Sequence, residues 1–294
     1  MLNFDGQVVV VTGAAGGLGR AYAELFAAGG ARLLLNDTAA DGLRELCTTL
    51  DAVADTNTVA TPEGGEAIIQ HALDAFGRVD VLVNNAGIAR PNYLDELDWD
   101  DLAATLSVHL LGAFHLSRAA WRPMRTAGAG TIVNTSSAVG LFGQQRSSGY
   151  AAAKLGIVGM TRVLAIEGAS HGIRVNVIAP VASSPMAGPV YGLLDPMLDP
   201  KFVAAAVIAL AHDSCTLTGE VISAGGGRIA RVAIATSAGA FVPGLEAEDA
   251  ARYLASLPAA EQYVTPGSAM EEIDLIRVNY PQLTEPMRYP EPQS

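Results

Sequence analysis

Short apolar runs alternate with helical stretches up to Pro180, and this alternation constrains the fold more than any other feature of the sequence. The runs contain few polar residues, which is typical of parallel strands buried on both faces of a sheet. The predicted strands are residues 8–11, 32–35, 79–83, 130–134, 173–178 and 220–223. The predicted helices are residues 18–28, 66–76, 99–121 and 150–167. Strands that alternate with helices predict an α/β fold, a doubly wound parallel sheet in three α/β/α layers.

The chain of 294 residues is long enough for this sheet and an additional segment. We expect one catalytic domain over residues 1–227 and a C-terminal extension over 228–294 that packs on the same domain or on a neighbouring subunit. Residues 181–200 combine four prolines with long apolar side chains. That composition predicts a substrate lid, with a loop packed on the core as the alternative.

Charge and composition exclude several classes of partner. There are 18 basic and 30 acidic residues, for a net charge of −12, which disfavours nucleic acid. The longest uncharged apolar stretch, residues 202–211, is too short to span a bilayer. The first residues lack the basic start and apolar run of a signal peptide, so we expect a cytoplasmic protein. Cys47 and Cys215 form neither a disulfide framework nor a metal-binding spacing, which fits a reducing compartment.

A glycine-rich loop follows the first predicted strand and leads into a helix. Glycines there permit a tight turn and let backbone N–H groups approach a pyrophosphate, while the helix N-terminus adds partial positive charge. A plain glycine turn is the alternative, but the position between strand and helix favours a dinucleotide site in a Rossmann fold. The candidate cofactor-binding residues of the loop are Gly13, Gly17, Leu18 and Gly19.

The second strand ends at Asn36 and Asp37. A carboxylate at this point can accept hydrogen bonds from both ribose hydroxyls and would repel a 2′-phosphate. Arg20, just after the loop, is the one nearby cation that could favour a phosphate instead. The predicted cofactor is therefore NAD rather than NADP.

The glycine spacing, with Thr12 before it, resembles the short-chain dehydrogenase/reductase family. Two further motifs strengthen the resemblance: Asn84-Asn85-Ala86-Gly87 after a central strand, and Tyr150 with Lys154 on a later helix. The resemblance implies that Asn85 borders the cofactor. It also implies a strand that ends at residues 55–58, between the predicted strands 32–35 and 79–83, and borders the adenine through Asp55 or through Asn57 and Thr58; we favour the latter pair.

Removing a hydroxyl proton while a hydride leaves requires a base, and tyrosine titrates too high to serve without help. A lysine one helical turn away can lower the pKa of a tyrosine by Coulomb attraction. Tyr150 and Lys154 have that spacing, and lysine occurs rarely in this arginine-rich chain. Ser137 lies at the family's spacing before Tyr150 and is the candidate that holds the substrate oxygen, with its neighbour Ser136 as the alternative.

Two positions depart from the family's pattern. His109 stands where the family usually has an asparagine that anchors a proton-relay water. It is a candidate for the relay, or else a hydrogen-bonded core histidine. Val181 follows Pro180 where the family usually has glycine, so the backbone beside the nicotinamide amide is expected to differ.

Further segments over roughly the first 230 residues resemble one subgroup, the dehydrogenase units of peroxisomal multifunctional enzymes of type 2, which are (3R)-hydroxyacyl-CoA and 17β-hydroxysteroid dehydrogenases. The resemblance implies NAD-dependent oxidation of a secondary alcohol, best a 3-hydroxyacyl-CoA. It also implies a homodimer or homotetramer and cofactor contacts from Ala182, Ser183 and Ser184. The alternatives are a hydroxysteroid dehydrogenase and a silent NAD-binding sensor or scaffold.

An acyl-CoA substrate would require cations at the mouth of the site. Arg118, Arg122 and Arg125 share one helix face and are candidates. A face that is solvated or contacts another subunit is the more ordinary explanation of their spacing.

Overall fold

The computed structural model describes residues 2–183, 188–237, 239–255, 263–277 and 279–280. The chain divides into two compact units, Met1–Val232 and Ala233–Ser294. The first unit contains every strand and helix discussed below except β9, β10, α9 and α10.

The first unit is built on an eight-stranded sheet in the order β3-β2-β1-β4-β5-β6-β7-β8. The pairs are parallel, except that β8 runs antiparallel to β7. The strands are β1 (Val8–Thr12), β2 (Arg32–Asn36), β3 (Val53–Asp55), β4 (Val81–Asn84), β5 (Gly130–Thr135), β6 (Ile173–Pro180), β7 (Val221–Gly225) and β8 (Arg228–Val232). This confirms the predicted α/β fold and its parallel sheet.

The helices of the first unit connect successive strands, as parallel pairing requires. They are α1 (Gly17–Ala28), α2 (Ala40–Leu50), α3 (Pro62–Phe76), α4 (Trp99–Leu106), α5 (Gly112–Ala127), α6 (Ala138–Phe142), α7 (Ser148–Gly168) and α8 (Pro200–Ala211). A π-helical turn, Ser107–Leu111, joins α4 to α5, and 3₁₀ turns cover Ala169–His171 and Gly188–Met197.

The second unit contains a two-stranded antiparallel sheet of β9 (Thr236–Ser237) and β10 (Tyr263–Val264). Its helices are α9 (Ala247–Ala255) and α10 (Ala269–Arg277), and neither has a buried residue.

The apolar run of β1 shows why the central strands lack polar alternation. All five of its residues are buried. Val9 and Val11 pack in a cluster with α1 and α8, including Tyr22 and Val207, on one face of the sheet. Val10 packs on the other face with side chains of α3 and α5. Both faces are covered, so the unit has three layers.

The sheet topology places a crevice where a ligand can bind. β1 pairs with β2 on one side and with β4 on the other, so the direction of winding reverses between β1 and β4. In doubly wound sheets, ligands bind at such a point, beyond the carboxyl ends of the strands. The loops after β1, β4 and β5 all leave from this edge.

The predicted single helix over residues 99–121 is wrong in one respect, because the π-helical turn interrupts it. The helix also continues beyond residue 121, through Pro123 to Ala127. A π turn inserts one extra residue into the helical repeat. A search for apolar residues at α-helical spacing does not detect this insertion.

The sequence prediction misses α8, although residues 202–211 form an uncharged apolar stretch. Pro200 occupies the first turn, where the missing N–H costs nothing, and the Asp199 carboxylate accepts a 2.9 Å hydrogen bond from the Lys201 amide. The helix buries Val203 and Val207 beneath the sheet.

Two regional predictions remain predictions. Part of the predicted lid, residues 184–187, lies outside the described residues. The packing of residues 228–294 on the same domain or on a neighbouring subunit also stays a prediction; the first compact unit extends to Val232, and β8 pairs with β7.

By length and composition alone, one helical stretch, Ser148–His171, could cross a membrane. It is weak evidence for a span, because α7 within it packs against β6 and buries Lys154 and Thr161, as core helices do.

Candidate active site

A cavity of about 550 Å³ opens at the carboxyl edge of β1, β4 and β5. It extends from the glycine-rich loop to the N-terminal part of α7. Ten of the predicted site residues line it: Gly13, Gly17, Leu18, Asp37, Asn85, His109, Ser137, Tyr150, Lys154 and Ala182. The structure thus brings the predicted nucleotide and chemistry residues together.

The glycine-rich loop is shaped by backbone conformations and close approaches that exclude side chains. Gly13 and Gly17 have φ values of +65° and +53°, which favour glycine. Gly19 does not line the cavity but is buried, and a Cβ there would overlap the Gly13 carbonyl oxygen. The Asn85 amide donates 3.0 and 3.1 Å hydrogen bonds to the carbonyls of Thr12 and Gly13. Asn85 therefore holds the loop in place from the end of β4.

The N-terminus of α1 has the features of an anion site. Its N-cap is Gly16, which supplies no side-chain hydrogen bond to the first turn, and no acidic residue lies there. A Cβ at Gly16 would meet open space. The backbone amides of this turn can therefore donate hydrogen bonds to a bound phosphate. The pyrophosphate of a dinucleotide requires such donors.

Asp37 lies half-buried beside the loop and lines the cavity. One carboxylate oxygen accepts from the Ala15 amide at 3.0 Å, and the other accepts from the Ala39 amide at 2.9 Å. These bonds fix the orientation of the carboxylate, and each oxygen keeps a lone pair for a ribose hydroxyl.

Asp55, at the end of β3, has a carboxylate already occupied by protein donors. It accepts from Asn36 Nδ2 at 2.9 Å and from the Asn57 amide at 2.9 Å, and it pairs with His71 Nδ1 at 2.9 Å. Burial raises the pKa of Asp55, but the hydrogen bonds from His71, Asn57 and Asn36 outweigh it, so the pKa lies below its ordinary value. Asn57 and Thr58 are exposed and outside the cavity lining, and their contact with an adenine stays a prediction.

The two adjacent serines have different surroundings, as strand alternation requires. Ser136 is 1 % exposed, and its hydroxyl donates to the Lys154 carbonyl at 2.7 Å. Ser137 is half-buried and caps α6, where its hydroxyl oxygen accepts from the Val139 amide at 3.1 Å. That bond uses a lone pair of Ser137, so the O–H can still donate toward the cavity.

Lys154 lies on the floor of the cavity, 3 % exposed. Its Nζ donates a 2.7 Å hydrogen bond to the Thr135 carbonyl at the end of β5 and lies 5.5 Å from the centre of the Tyr150 ring. Burial lowers the pKa of Lys154 to about 7, because an ammonium loses its hydration there.

His109 is carried by the π-helical turn and is 2 % exposed. Its ring meets the Tyr150 ring edge-on, with 5.0 Å between centroids. Nε2 lies 2.8 Å from the Ile88 carbonyl and 3.1 Å from the Ile88 amide. A Cβ at Gly87 would come within 2.5 Å of the imidazole, so glycine makes room for it.

The imidazole of His109 is held in its neutral form. Burial and the nearby charge of Lys154 lower its pKa to about 3, against a raising effect of the Ile88 backbone. Nδ1 has no hydrogen-bond partner among the described residues, although it is buried. The neutral ring can therefore accept or donate through Nδ1, depending on its tautomer, toward Tyr150 and the cavity.

The segment after β6 is partly described. Ala182 is buried and lines the cavity, and the Ser183 amide donates to the Leu198 carbonyl at 2.8 Å. Ser184 lies outside the described residues. Val181 packs tightly, since a Cβ at Gly225 would overlap its carbonyl oxygen.

The arginines considered for an acyl-CoA lie elsewhere. Arg118 pairs with Glu66 of α3 at 3.2 Å, and Arg122 lines a second cavity between α3 and α5. The arginines that line the active-site cavity are Arg90 and Arg146. Sequence reasoning missed them, although each lies close to a motif that it had identified.

The family model for short chain dehydrogenase matches residues 7–190. The chain belongs to the short-chain dehydrogenase family. The family resemblance seen in the sequence is thereby confirmed. Members are oxidoreductases acting on CH–OH groups, and they use NAD or NADP.

Named relatives extend the match. The chain is 42 % identical over 256 residues to mouse peroxisomal multifunctional enzyme type 2, covering 82 % of this chain and 34 % of the relative. It is similar to the structure of full-length peroxisomal multifunctional enzyme type 2 from Drosophila melanogaster, with TM-score 0.81, 32 % identity and coverage of 96 % of this chain and 51 % of that one. The subgroup resemblance is confirmed, and the chain spans only a third to a half of these relatives.

A third similarity covers almost all of a smaller protein. The crystal structure of a short chain dehydrogenase from Mycobacterium avium matches with TM-score 0.78 and 35 % identity. The match covers 89 % of this chain and 98 % of that one.

The close packing of Gly19 yields a testable prediction. If the loop receives the pyrophosphate as predicted, we expect Gly19→Ala to weaken dinucleotide binding about tenfold or more, because the added Cβ displaces the Gly13 carbonyl. Gly159→Ala on α7 is the matched control, since a Cβ there would meet nothing within 4 Å. Calorimetric titration with NAD measures both. Equal NAD affinity in the two variants would contradict the proposed role of the loop.

The pKa of Lys154 predicts a pH-dependent stability. Its folded value of about 7 lies below the ordinary 10.5, so between these values the unfolded chain binds a proton that the folded chain lacks. Burial of Lys154 is therefore most destabilising below pH 7, and the free energy of unfolding recovers as pH rises toward 10.5.

We expect Lys154→Met to be more stable than wild type at pH 6, by on the order of a few kcal/mol, with the difference shrinking toward pH 10. Denaturant titrations across this range measure it. The other lysine, Lys201, is exposed and paired with Asp199, so Lys201→Met is the control and should show a small effect. A Lys154→Met difference that does not change with pH would contradict the assignment.

Proposed function

We propose that the protein oxidises a secondary alcohol to a ketone with NAD as acceptor, and that the substrate is a 3-hydroxyacyl-CoA. The observation that carries this proposal is the convergence of Ser137, Tyr150 and Lys154 on the cavity that the glycine-rich loop also lines. A sensor that had lost its chemistry would have no need of this arrangement.

The cofactor preference rests on Asp37. Its carboxylate is oriented by two backbone amides and faces the cavity, where it can accept from ribose hydroxyls. A 2′-phosphate at the same place would meet a negative charge. Arg20, the one nearby cation, contacts Glu24 at 3.0 Å and Glu45 at 3.5 Å, so two carboxylates would compete with a phosphate for it. The proposal is therefore NAD and not NADP.

The proton is removed by Tyr150. In the proposed step the substrate O–H bond breaks and its proton passes to the tyrosine oxygen, while the C–H electron pair leaves as hydride. Bound NAD supplies the hydride acceptor. Ser137 donates its O–H to the substrate oxygen, which positions that oxygen during the step.

The ammonium of Lys154 stabilises a negative charge on the Tyr150 oxygen by electrostatic attraction. With Nζ 5.5 Å from the ring centre, the ammonium stabilises the phenolate form in a site that excludes most water. Its hydrogen bond to the Thr135 carbonyl fixes this position. We also propose that Lys154 binds the nicotinamide ribose.

His109 replaces the family's asparagine beside Tyr150. A neutral imidazole whose buried Nδ1 has no partner in the described part of the chain can hold a water or pass a proton, and a charged one would oppose Lys154. We propose that His109 serves the proton relay in its neutral form.

The substrate class rests on the relatives. The mouse and fly relatives are named peroxisomal multifunctional enzymes, and a Neurospora crassa relative is named a peroxisomal hydratase-dehydrogenase-epimerase. A 3-hydroxyacyl thioester is the product of a hydratase and the substrate of a dehydrogenase, which favours it here. The cytoplasmic location and the homodimer or homotetramer stay predictions.

The test is NADH formation with purified protein. We expect turnover of (3R)-3-hydroxyacyl-CoA esters with NAD and much slower turnover with NADP. A 17β-hydroxysteroid is offered in parallel. Turnover of the steroid alone would overturn the substrate class, and a preference for NADP would overturn the role of Asp37. Absence of turnover of both substrates with either cofactor, while NAD binds, would overturn the proposed oxidation.

A further inference from the structure

Two arginines lie at the mouth of the active-site cavity. Arg90 belongs to the segment that follows β4, and Arg146 belongs to the segment between α6 and α7, just before Tyr150. Both side chains are exposed. The Asn92 amide donates a 2.9 Å hydrogen bond to the Arg146 carbonyl, so the two segments are joined by their backbones.

Arg146 has a left-handed backbone conformation, which glycine adopts more readily than any other residue. Its φ is +64°, in the left-handed region where a Cβ is disfavoured and glycine is not. A strained non-glycine residue at the rim of an active site is a pointer to function, because glycine at this position would relieve the strain.

The guanidinium of Arg146 is also not neutralised by the protein. It lies over the Tyr93 ring at 5.5 Å from the centroid, and no carboxylate of the described residues pairs with it. Arg90 does have a carboxylate partner, Asp101, at 3.0 Å, but both side chains are about half exposed and such pairs are weak. Within the described part of the chain, Arg146 therefore presents an unpaired positive charge to the cavity that it lines, while Arg90 shares its charge with Asp101.

The nucleotide phosphates do not account for these cations. They are expected at the N-terminus of α1, where the backbone amides of the glycine-rich loop supply the donors. Arg146 instead lies four residues before Tyr150 in the chain, and both residues line the cavity, as does Arg90.

We infer that Arg146, assisted by Arg90, receives the phosphate groups of a coenzyme A thioester. Guanidinium groups bind phosphates through paired hydrogen bonds, and a cation at the rim would hold the nucleotide end while the acyl chain reaches Tyr150. A neutral steroid would gain nothing from it. This inference rests on the proposed dehydrogenase function and names the group by which it selects its substrate.

The test compares two thioesters of the same (3R)-3-hydroxyacyl chain, one of coenzyme A and one of N-acetylcysteamine, which has no phosphates. The variant is Arg146→Gly, because glycine accepts a φ of +64° and the fold is expected to be retained. We expect kcat/KM for the coenzyme A ester to fall about tenfold and that for the N-acetylcysteamine ester to stay within about twofold.

Arg118→Gln is the matched control, since it removes the same charge from an exposed arginine outside the cavity. It should change neither ester. A second readout is calorimetric binding of free coenzyme A in the presence of saturating NAD. We expect Arg146→Gly to weaken coenzyme A binding by the same factor. Raised ionic strength should lower the affinity of the wild-type protein for coenzyme A until it approaches that of the variant.

The outcomes separate this inference from the function on which it rests. Wild-type protein that oxidises neither ester would overturn the proposed function. Turnover of both esters with no effect of Arg146→Gly, or with equal losses for both, would overturn the role of Arg146 alone.

Discussion

The buried ammonium of Lys154 is the interaction on which the site depends. Its hydrogen bond to the Thr135 carbonyl requires α7 to pack tightly against the end of β5, and the Ser136 hydroxyl returns a bond to the Lys154 carbonyl. The same ammonium lies beneath Tyr150 and helps to keep His109 neutral. Burial that lowers the pKa of Lys154 also lowers the free energy of unfolding at neutral pH. The protein is therefore less stable than it would be without the ammonium that its active site requires.

The sheet around this lysine follows from the sequence with little ambiguity. The apolar strands had to be buried on both faces, and the glycine-rich loop had to follow β1, so the crevice between β1 and β4 could be predicted. Tyr150 and Lys154 are predicted from their spacing on one helix and Ser137 from the family resemblance, and the structure brings all three to one cavity. Their individual roles rest on the proposed chemistry.

What the sequence did not reveal depends on local irregularity or on distant packing. The π-helical turn under His109 breaks the helical period within a single apolar segment, and no residue type signals it. Arg146 is unusual only in its backbone φ, which the sequence does not show. Arg90 lines the same cavity from a distant loop, which the Asn92 amide joins to the Arg146 carbonyl. The charged face of α5 was visible in the sequence, but its Arg118 faces Glu66 rather than the site.

The most direct test of the account is Tyr150→Phe, with Tyr263→Phe on the exposed strand β10 as control. Loss of the phenolic oxygen should lower kcat for the (3R)-3-hydroxyacyl-CoA ester by roughly a hundredfold to ten-thousandfold, because the base is removed while the cavity keeps its shape. The dissociation constant for NAD should be nearly unchanged. Retained turnover in Tyr150→Phe, whether or not NAD affinity falls, would contradict the account.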